Sequence, residues 1–87
     1  MKCTFRKSFA RDVKDIKSTD LRARIKVAIE AVENADSLGA LDVKKLAGAK
    51  NCYRIRVGDF RIGITVDKQQ VDFVRCLHRR DIYKYFP

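Results

Sequence analysis

Residues 51–66 have the sequence NCYRIRVGDFRIGITV, in which apolar and polar side chains alternate on both sides of Gly58-Asp59. Alternation of this kind is typical of a half-buried β-strand, and Gly-Asp is a two-residue turn signal. The stretch therefore predicts a β-hairpin with one apolar face. That face consists of Tyr53, Ile55, Val57, Phe60, Ile62, Ile64 and Val66.

The opposite face of this hairpin carries three arginines. A two-residue loop fixes the register, so that Arg56 lies opposite Arg61 and Arg54 lies opposite Gly63. Like charges directly across an antiparallel pair are destabilising, on a scale of roughly 0.2–1 kcal/mol. A phosphate between the two guanidiniums would remove this conflict, because each offers a fork of donors to its oxygens. Gly63 leaves a shallow spot where a backbone or base can approach closely.

A second interpretation of the arginines is that they only make an exposed face soluble. Asp72 is the residue that would neutralise them if it lies on the same face of the next strand. The two interpretations differ in whether the guanidiniums are paired within the protein.

The rest of the chain predicts a short strand and two helices before the hairpin and one strand after it. We expect a short strand over Cys3–Lys7, a helix from Ser8 to about Lys17, and a second helix from the cap residues Ser18-Thr19-Asp20 to about Ala35. Residues 36–50 are expected to be a connection with one helical turn near Val43–Leu46.

The chain ends with a strand and a short tail. Residues 71–77 carry apolar side chains on both faces, as an inner strand would. The tail over residues 79–87 is expected to be a short helix or turn docked by Ile82 and an aromatic side chain. The order β-α-α-β-β-β predicts a single α+β domain over residues 1–87, with two N-terminal helices packed on one face of a small antiparallel sheet.

Composition and charge limit the possible functions. The 87 residues include 46% hydrophobic residues and a net charge of +9 (20 basic minus 11 acidic), which favours a polyanion, an acidic protein or an anionic membrane as partner. The first helix mixes acidic and basic residues on its polar side, which argues against membrane binding.

Three cysteines without CxxC spacing and a single histidine predict a reducing compartment, no metal site and no cofactor. With no apolar segment of about 20 residues, we expect a cytoplasmic protein.

Residues that follow the last strand add possible proton carriers to the arginines. RNA cleavage without a metal needs a base for the 2′-OH, an acid for the leaving 5′-oxygen, and positive charge on the phosphoryl oxygens. A histidine titrates near neutrality, so His78 could act as base or acid. A tyrosine acts as base only where positive charge surrounds it, as Arg79 and the hairpin would surround Tyr83. The alternative roles are a strand-end histidine that caps a carbonyl and a packed helix aromatic.

Three motifs resemble the RelE/ParE toxin superfamily. Residues 51–64 are similar to its central hairpin, residues 78–83 (HRRDIY) to its C-terminal signature, and residues 45–48 (KLAG) to its short basic-Leu-x-Gly element. The resemblance covers essentially the whole chain. It implies a RelE-type toxin of a type II toxin–antitoxin pair, which enters the ribosomal A site and cuts mRNA to leave a 2′,3′-cyclic phosphate. It also implies a cognate antitoxin as partner, with operator DNA bound only through the antitoxin complex.

The resemblance assigns candidate roles to individual residues. Family positions with basic strand residues match Arg54 and Arg56, the arginine after the hairpin turn matches Arg61, and the C-terminal tyrosine matches Tyr83. The upstream catalytic arginine falls at His78 or Arg79, so base and acid remain shared among these residues and Tyr83. We expect further RNA contacts from Lys44, Lys45, Lys50, Arg80 and Lys84.

Two other functions are compatible with the sequence. A ParE-type toxin shares the fold but inhibits DNA gyrase without cutting RNA, and it would not need the convergent arginines. A basic nucleic-acid-binding module would bind RNA in a salt-sensitive way and leave it uncut.

Overall fold

The computed structural model describes all residues 1–87 and has an α+β fold, as predicted. The chain begins with a strand and two helices, continues through four strands and ends in a short helix. The elements are β1 (Lys2–Phe5), α1 (Lys7–Lys14), α2 (Thr19–Asn34), a 3-10 helix (Leu38–Ala40), β2 (Val43–Lys45), β3 (Cys52–Val57), β4 (Phe60–Asp67), β5 (Gln70–His78) and α3 (Ile82–Tyr85).

The five strands form one sheet in the order β1-β5-β4-β3-β2. The sheet is mixed rather than purely antiparallel, because β1 pairs in parallel with β5. Two helices and three strands separate β1 from β5, which gives the chain enough length for a parallel crossover. The first strand therefore forms one edge of the sheet.

The predicted helical turn near Val43–Leu46 is wrong, because Val43–Lys45 is the strand β2. It pairs with β3, with Lys44 opposite Arg54. Val43 packs against the main core. Because side chains alternate between the two faces of a strand, Lys44 is directed to the opposite face. Pairing with β2 also satisfies backbone groups that β3 would otherwise expose at the sheet edge.

The two N-terminal helices begin in different ways. The predicted cap of α2 is confirmed, since the Ser18 side chain accepts a hydrogen bond from the Leu21 amide at 3.2 Å. Helix α1 instead begins at Lys7 and ends at Lys14, earlier than predicted at both ends. Ser8 lies inside it, where its hydroxyl donates to the Val74 carbonyl at 2.6 Å and ties the helix to β5.

Both helices cover one face of the sheet and enclose the main hydrophobic core. Several of its residues are fully buried, including Ile62, Ile64 and Phe73 at 0% exposure. Burial of each such side chain stabilises the fold by roughly 1.5–3 kcal/mol. The core consists of Phe9, Ile16, Ile25, Val32, Ile55, Val57, Ile62, Ile64, Val71, Phe73 and Cys76.

The other face of the sheet is partly covered by the C-terminal segment. Ile82 and Phe86 form a second buried cluster with Leu46 and Cys52, which confirms that Ile82 and an aromatic dock the tail. The shallow spot predicted at Gly63 is not open, because the Phe86 ring lies on it. Basic residues therefore occupy only the part of this face that the tail leaves free.

A partly buried ion pair joins α1 to an irregularity in β5. The register between β4 and β5 shifts between Gly63 and Ile64. Beside it, the Asp12 carboxylate accepts hydrogen bonds from Arg75 Nε at 2.7 Å and from the Cys76 amide at 3.0 Å. The hydrogen bond from Asp12 raises the pKa of Arg75 above its ordinary value. One carboxylate thus satisfies a charge and a backbone donor where the sheet bends.

None of the helices has both the length and the apolar character that crossing a membrane requires.

The Asp12→Ala variant should lose about 2 kcal/mol of unfolding free energy, because it leaves a partly buried guanidinium and the buried Cys76 amide without their acceptor. Chemical denaturation measures this loss. Asp15→Ala is the matched control, since Asp15 is exposed and forms no ion pair, and it should change stability by about 0.5 kcal/mol or less. Equal stability of the two variants would contradict this account of the bend.

Burial, followed by the nearby Asp12 charge, raises the pKa of the Cys76 thiol to about 12. Since the thiolate is the reactive form, Cys76 in the folded protein should be alkylated at pH 8 roughly a thousandfold more slowly than in the unfolded chain. Mass spectrometry after iodoacetamide treatment, with and without urea, measures the ratio. Similar rates in both states would show that Cys76 is not protected by the fold.

Candidate functional site

The structure has the predicted hairpin register. Arg56 pairs with Arg61 and Arg54 pairs with Gly63 across β3 and β4. On the other side of β3, Lys44 pairs with Arg54. Directly opposed residues project from the same face of a sheet. Four cations from three adjacent strands therefore lie together on the face away from the two N-terminal helices: Lys44, Arg54, Arg56 and Arg61.

Two adjoining cavities open on this basic face. One has a volume of about 300 Å³ and the other about 400 Å³. Arg54, Arg61 and Tyr83 line both of them, and we call the combined space the arginine cleft. The remaining lining residues are Asp42, Lys44 and Arg56 in the first cavity, and Arg79, Arg80 and Ile82 in the second.

Arg54 lies at the centre of the cleft and is held by an aromatic ring. Its guanidinium carbon lies 4.2 Å from the centroid of the Tyr83 ring, within the range of a cation–π interaction. Its Nε atom is buried and has no hydrogen-bond partner. An unpaired buried donor costs free energy, so contacts within the protein alone do not account for an arginine at this position.

Arg61 is fixed by the hairpin turn. Its Nη1 atom donates to the carbonyls of Gly58 and Phe60, both at 2.9 Å. Gly58 has a φ of 59°, a conformation that favours glycine and lets the turn close in two residues. The turn thus holds one nitrogen of Arg61, while the other donors of its guanidinium make no hydrogen bond within the protein.

The cleft arginines have no carboxylate partners. The two salt bridges of the protein join Arg6 to Asp72 and Arg75 to Asp12. Asp72 therefore does not neutralise the hairpin. It also accepts a hydrogen bond from Thr4 at 3.0 Å, which holds it at the β1 edge of the sheet. Neither Arg56 nor Arg61 forms a salt bridge.

His78 is not brought into the arginine cleft. It pairs with Phe60, and its ring packs edge-on against Phe60 with the centroids 5.7 Å apart. Since Phe60 alternates with Arg61 along β4, both rings lie on the helix side of the sheet. In the assigned orientation His78 Nδ1 accepts a hydrogen bond from the Arg80 amide at 3.1 Å. It lines a separate cavity of about 360 Å³ with residues of the α1–α2 connection.

The basic residues predicted to contact RNA divide into two groups. Lys44 and Arg80 line the cleft. Lys45, Lys50 and Lys84 are exposed and line neither cavity. Lys45 lies opposite Tyr53, whose side chain packs against the main core, so the alternation of β2 directs Lys45 away from the cleft.

Asp42 is a lining residue that the sequence analysis missed. It is exposed, forms no salt bridge and is the only carboxylate that lines the cleft. It immediately precedes β2, so recognition of β2 as a strand beside Arg54 would have pointed to it. No group of three or more His, Cys, Asp or Glu side chains is arranged to hold a metal ion.

A backbone hydrogen bond joins the two halves of the cleft. The Arg79 amide donates to the Asp59 carbonyl at 2.8 Å, which ties the end of β5 to the hairpin turn. The segment that carries Arg79, Arg80 and Tyr83 therefore lies beside the strands that carry the other arginines.

Comparison with known proteins supports a family assignment. Residues 4–83 match a family model described as the ParE toxin of the type II toxin–antitoxin system parDE. The chain is similar to Toxin RelE3 of Methanocaldococcus jannaschii, with 48% identity over 89 aligned positions that span all of both chains.

Crystal structures of antitoxin–toxin complexes contain chains of the same fold. The RelB-RelE complex from Methanococcus jannaschii includes a chain that is 48% identical, with a TM-score of 0.80 over 95% of this chain and 98% of that chain. The intact RelBE complex from E. coli includes one with a TM-score of 0.71 at 18% identity, covering 88% of this chain and 94% of that chain. The second match is a likeness of fold alone.

The opposed arginines give a prediction about the protein without a ligand. Arg56→Thr should raise the unfolding free energy at low ionic strength by about 0.2–1 kcal/mol, because it removes like-charge repulsion across β3 and β4. It should also reduce the gain in melting temperature produced by added inorganic phosphate.

Lys45→Thr is the matched control, because it removes one positive charge from the same sheet but from a position opposite Tyr53. Thermal and chemical denaturation measure both effects. An equal gain from the two substitutions would show that net charge, rather than the Arg56–Arg61 pair, is responsible.

Proposed function

This chain belongs to the RelE/ParE superfamily of toxins from type II toxin–antitoxin systems, and from that premise we propose that it is a ribosome-dependent endoribonuclease that cuts mRNA. The observation that carries the proposal is the arginine cleft. Five arginines line it, none of them in an ion pair, around a space that suits a phosphodiester. A toxin that acts only by binding a protein surface does not need this concentration of unpaired guanidiniums.

The proposed reaction is attack by the RNA 2′-OH on the adjacent phosphorus. The O2′–P bond forms, the P–O5′ bond breaks, and the products are a 2′,3′-cyclic phosphate and a free 5′-OH. Negative charge increases on the phosphoryl oxygens in the transition state, and fixed donors such as Arg54 and Arg61 stabilise it. Arg56, Arg79 and Lys44 hold the phosphate and its neighbours in place.

Two cleft residues can carry protons in this reaction. Tyr83 carries a hydroxyl on the ring that lies against the Arg54 guanidinium, and Asp42 has the only carboxylate of the cleft. One accepts the proton of the 2′-OH, and either the other or a water supplies a proton to the leaving 5′-oxygen. Arginine stays protonated, so Arg79 contributes charge rather than a base. His78 lies outside the cleft and takes no part in this proposal.

The proposed partners follow from the family and the charge. The 48% identical chain from Methanococcus jannaschii was crystallised in a RelB-RelE antitoxin–toxin complex, and we propose that a cognate antitoxin neutralises this chain by covering the cleft. The target is mRNA in the ribosomal A site, in the cytoplasm. Operator DNA is contacted only through the antitoxin complex.

Cleavage on ribosomes programmed with a defined mRNA tests the proposal. Arg61→Ala should lower the cleavage rate by about 10²–10³-fold, because it removes a fixed donor to the developing charge. Tyr83→Phe keeps the ring that stacks on Arg54 and should lower the rate by about 10²–10⁴-fold if the hydroxyl carries the proton. Asp42→Asn applies the same test to the carboxylate. Arg22→Ala, on the exposed surface of α2, is the control and should cut at the wild-type rate.

Full activity in folded Arg61→Ala would contradict the site. Intact mRNA in the wild-type reaction would contradict the function. In that case inhibition of DNA gyrase becomes the leading candidate, since the matching family model is that of the ParE toxin. A supercoiling assay with purified gyrase measures it directly.

A further inference from the structure

The ring of Phe86 lies directly on the backbone of Gly63. Gly63 is buried in β4, and a Cβ atom at this position would lie 2.6 Å from both Cδ2 and Cγ of Phe86. Real Cβ atoms do not approach other atoms this closely, so a larger residue at position 63 would displace the ring. The absence of a side chain at Gly63 creates the space that Phe86 fills.

Helix α3 depends on this contact for its position. It has four residues and no side-chain hydrogen bond at its N-cap, and so short a helix is not stable alone. Its buried side chain is Ile82 at 0% exposure, and Phe86 follows the helix at 3% exposure. These two side chains are the apolar anchors that hold α3 against the sheet.

The two anchors lie on either side of Tyr83 in the sequence. Tyr83 is 72% exposed, and its ring stacks on the Arg54 guanidinium at 4.2 Å. Tyr85 contacts a different arginine, since its ring centroid lies 5.4 Å from the guanidinium carbon of Arg75. Because Tyr83 is so little buried, its place in the arginine cleft depends on how firmly the flanking anchors hold the backbone.

We propose that Phe86, seated on Gly63, is a positioning residue that holds Tyr83 against Arg54 for RNA cleavage. This inference rests on the proposed endoribonuclease function. Phe86 touches no reacting atom and acts through the backbone of α3. Displacement of the ring should therefore impair the chemical step more than the binding of RNA, since Arg54 and Arg61 remain on their strands.

The first test displaces the Phe86 ring with one substitution and removes it with another. Gly63→Ala and Phe86→Ala should each lower kcat for ribosomal mRNA cleavage by about 10–100-fold, the range expected for a small misplacement of a reacting group. KM should change little. Gly39→Ala is the matched control, because a Cβ there meets no atom closer than 3.8 Å, and it should retain wild-type kcat and KM.

Rescue separates positioning from general loss of stability. Leucine is smaller than phenylalanine, so Phe86→Leu in the Gly63→Ala background should make room for the added methyl group and restore most of kcat. The NMR cross-peaks between the Tyr83 ring and the Arg54 side chain should be present in the wild type, weak in Gly63→Ala and restored in the double variant.

These outcomes distinguish the inference from the function on which it rests. A wild-type protein that cuts no mRNA overturns both. An active wild type with full kcat in Gly63→Ala and Phe86→Ala overturns the inference alone. So does a kcat loss with unchanged Tyr83–Arg54 cross-peaks, or a double variant no more active than Gly63→Ala.

Discussion

Two guanidiniums face each other across β3 and β4 without a carboxylate between them. Arg56 and Arg61 are opposed in the register, and Arg54 lies next to them with a buried, unpaired Nε atom. The two carboxylates that form ion pairs, Asp72 and Asp12, bind Arg6 and Arg75 outside the cleft. A hairpin selected for stability alone would place an acidic or neutral residue opposite Arg56. The distribution of charge therefore indicates an anion as the missing partner.

The rest of the fold keeps these charges in one place. The main core lies between the two N-terminal helices and one face of the sheet. The basic residues lie on the opposite face, which these helices do not cover. The C-terminal segment covers the centre of that face through Ile82 and Phe86 and brings Tyr83 onto Arg54. The like charges that repel one another thus lie on the hairpin. Tyr83 instead lies on the short helix α3, which the buried side chains of Ile82 and Phe86 hold in position.

The hairpin and its register were predictable because alternation along the strands and a two-residue turn are local properties. The same holds for the Ser18 cap of α2. The parallel pairing of β1 with β5 was not predictable in this way, since it depends on contacts between the two ends of the chain. Strand β2 was missed because three residues are too few to show a period. His78 was placed on the wrong side of the sheet, because the side that it faces depends on its pairing with Phe60. Asp42 was missed because it lies in a segment that was interpreted as a connection.

The central claim is that the unpaired arginines bind an RNA phosphodiester. A titration of the protein with a short 2′-O-methyl RNA, which cannot be cut, followed by NMR of the arginine Nε–Hε signals, tests it most directly. The account predicts that the signals of Arg54 and Arg61 shift strongly, while those of Arg6 and Arg75, already bound to Asp72 and Asp12, stay in place. Shifts of equal size in all four, or none at Arg54 and Arg61 at saturation, would contradict it.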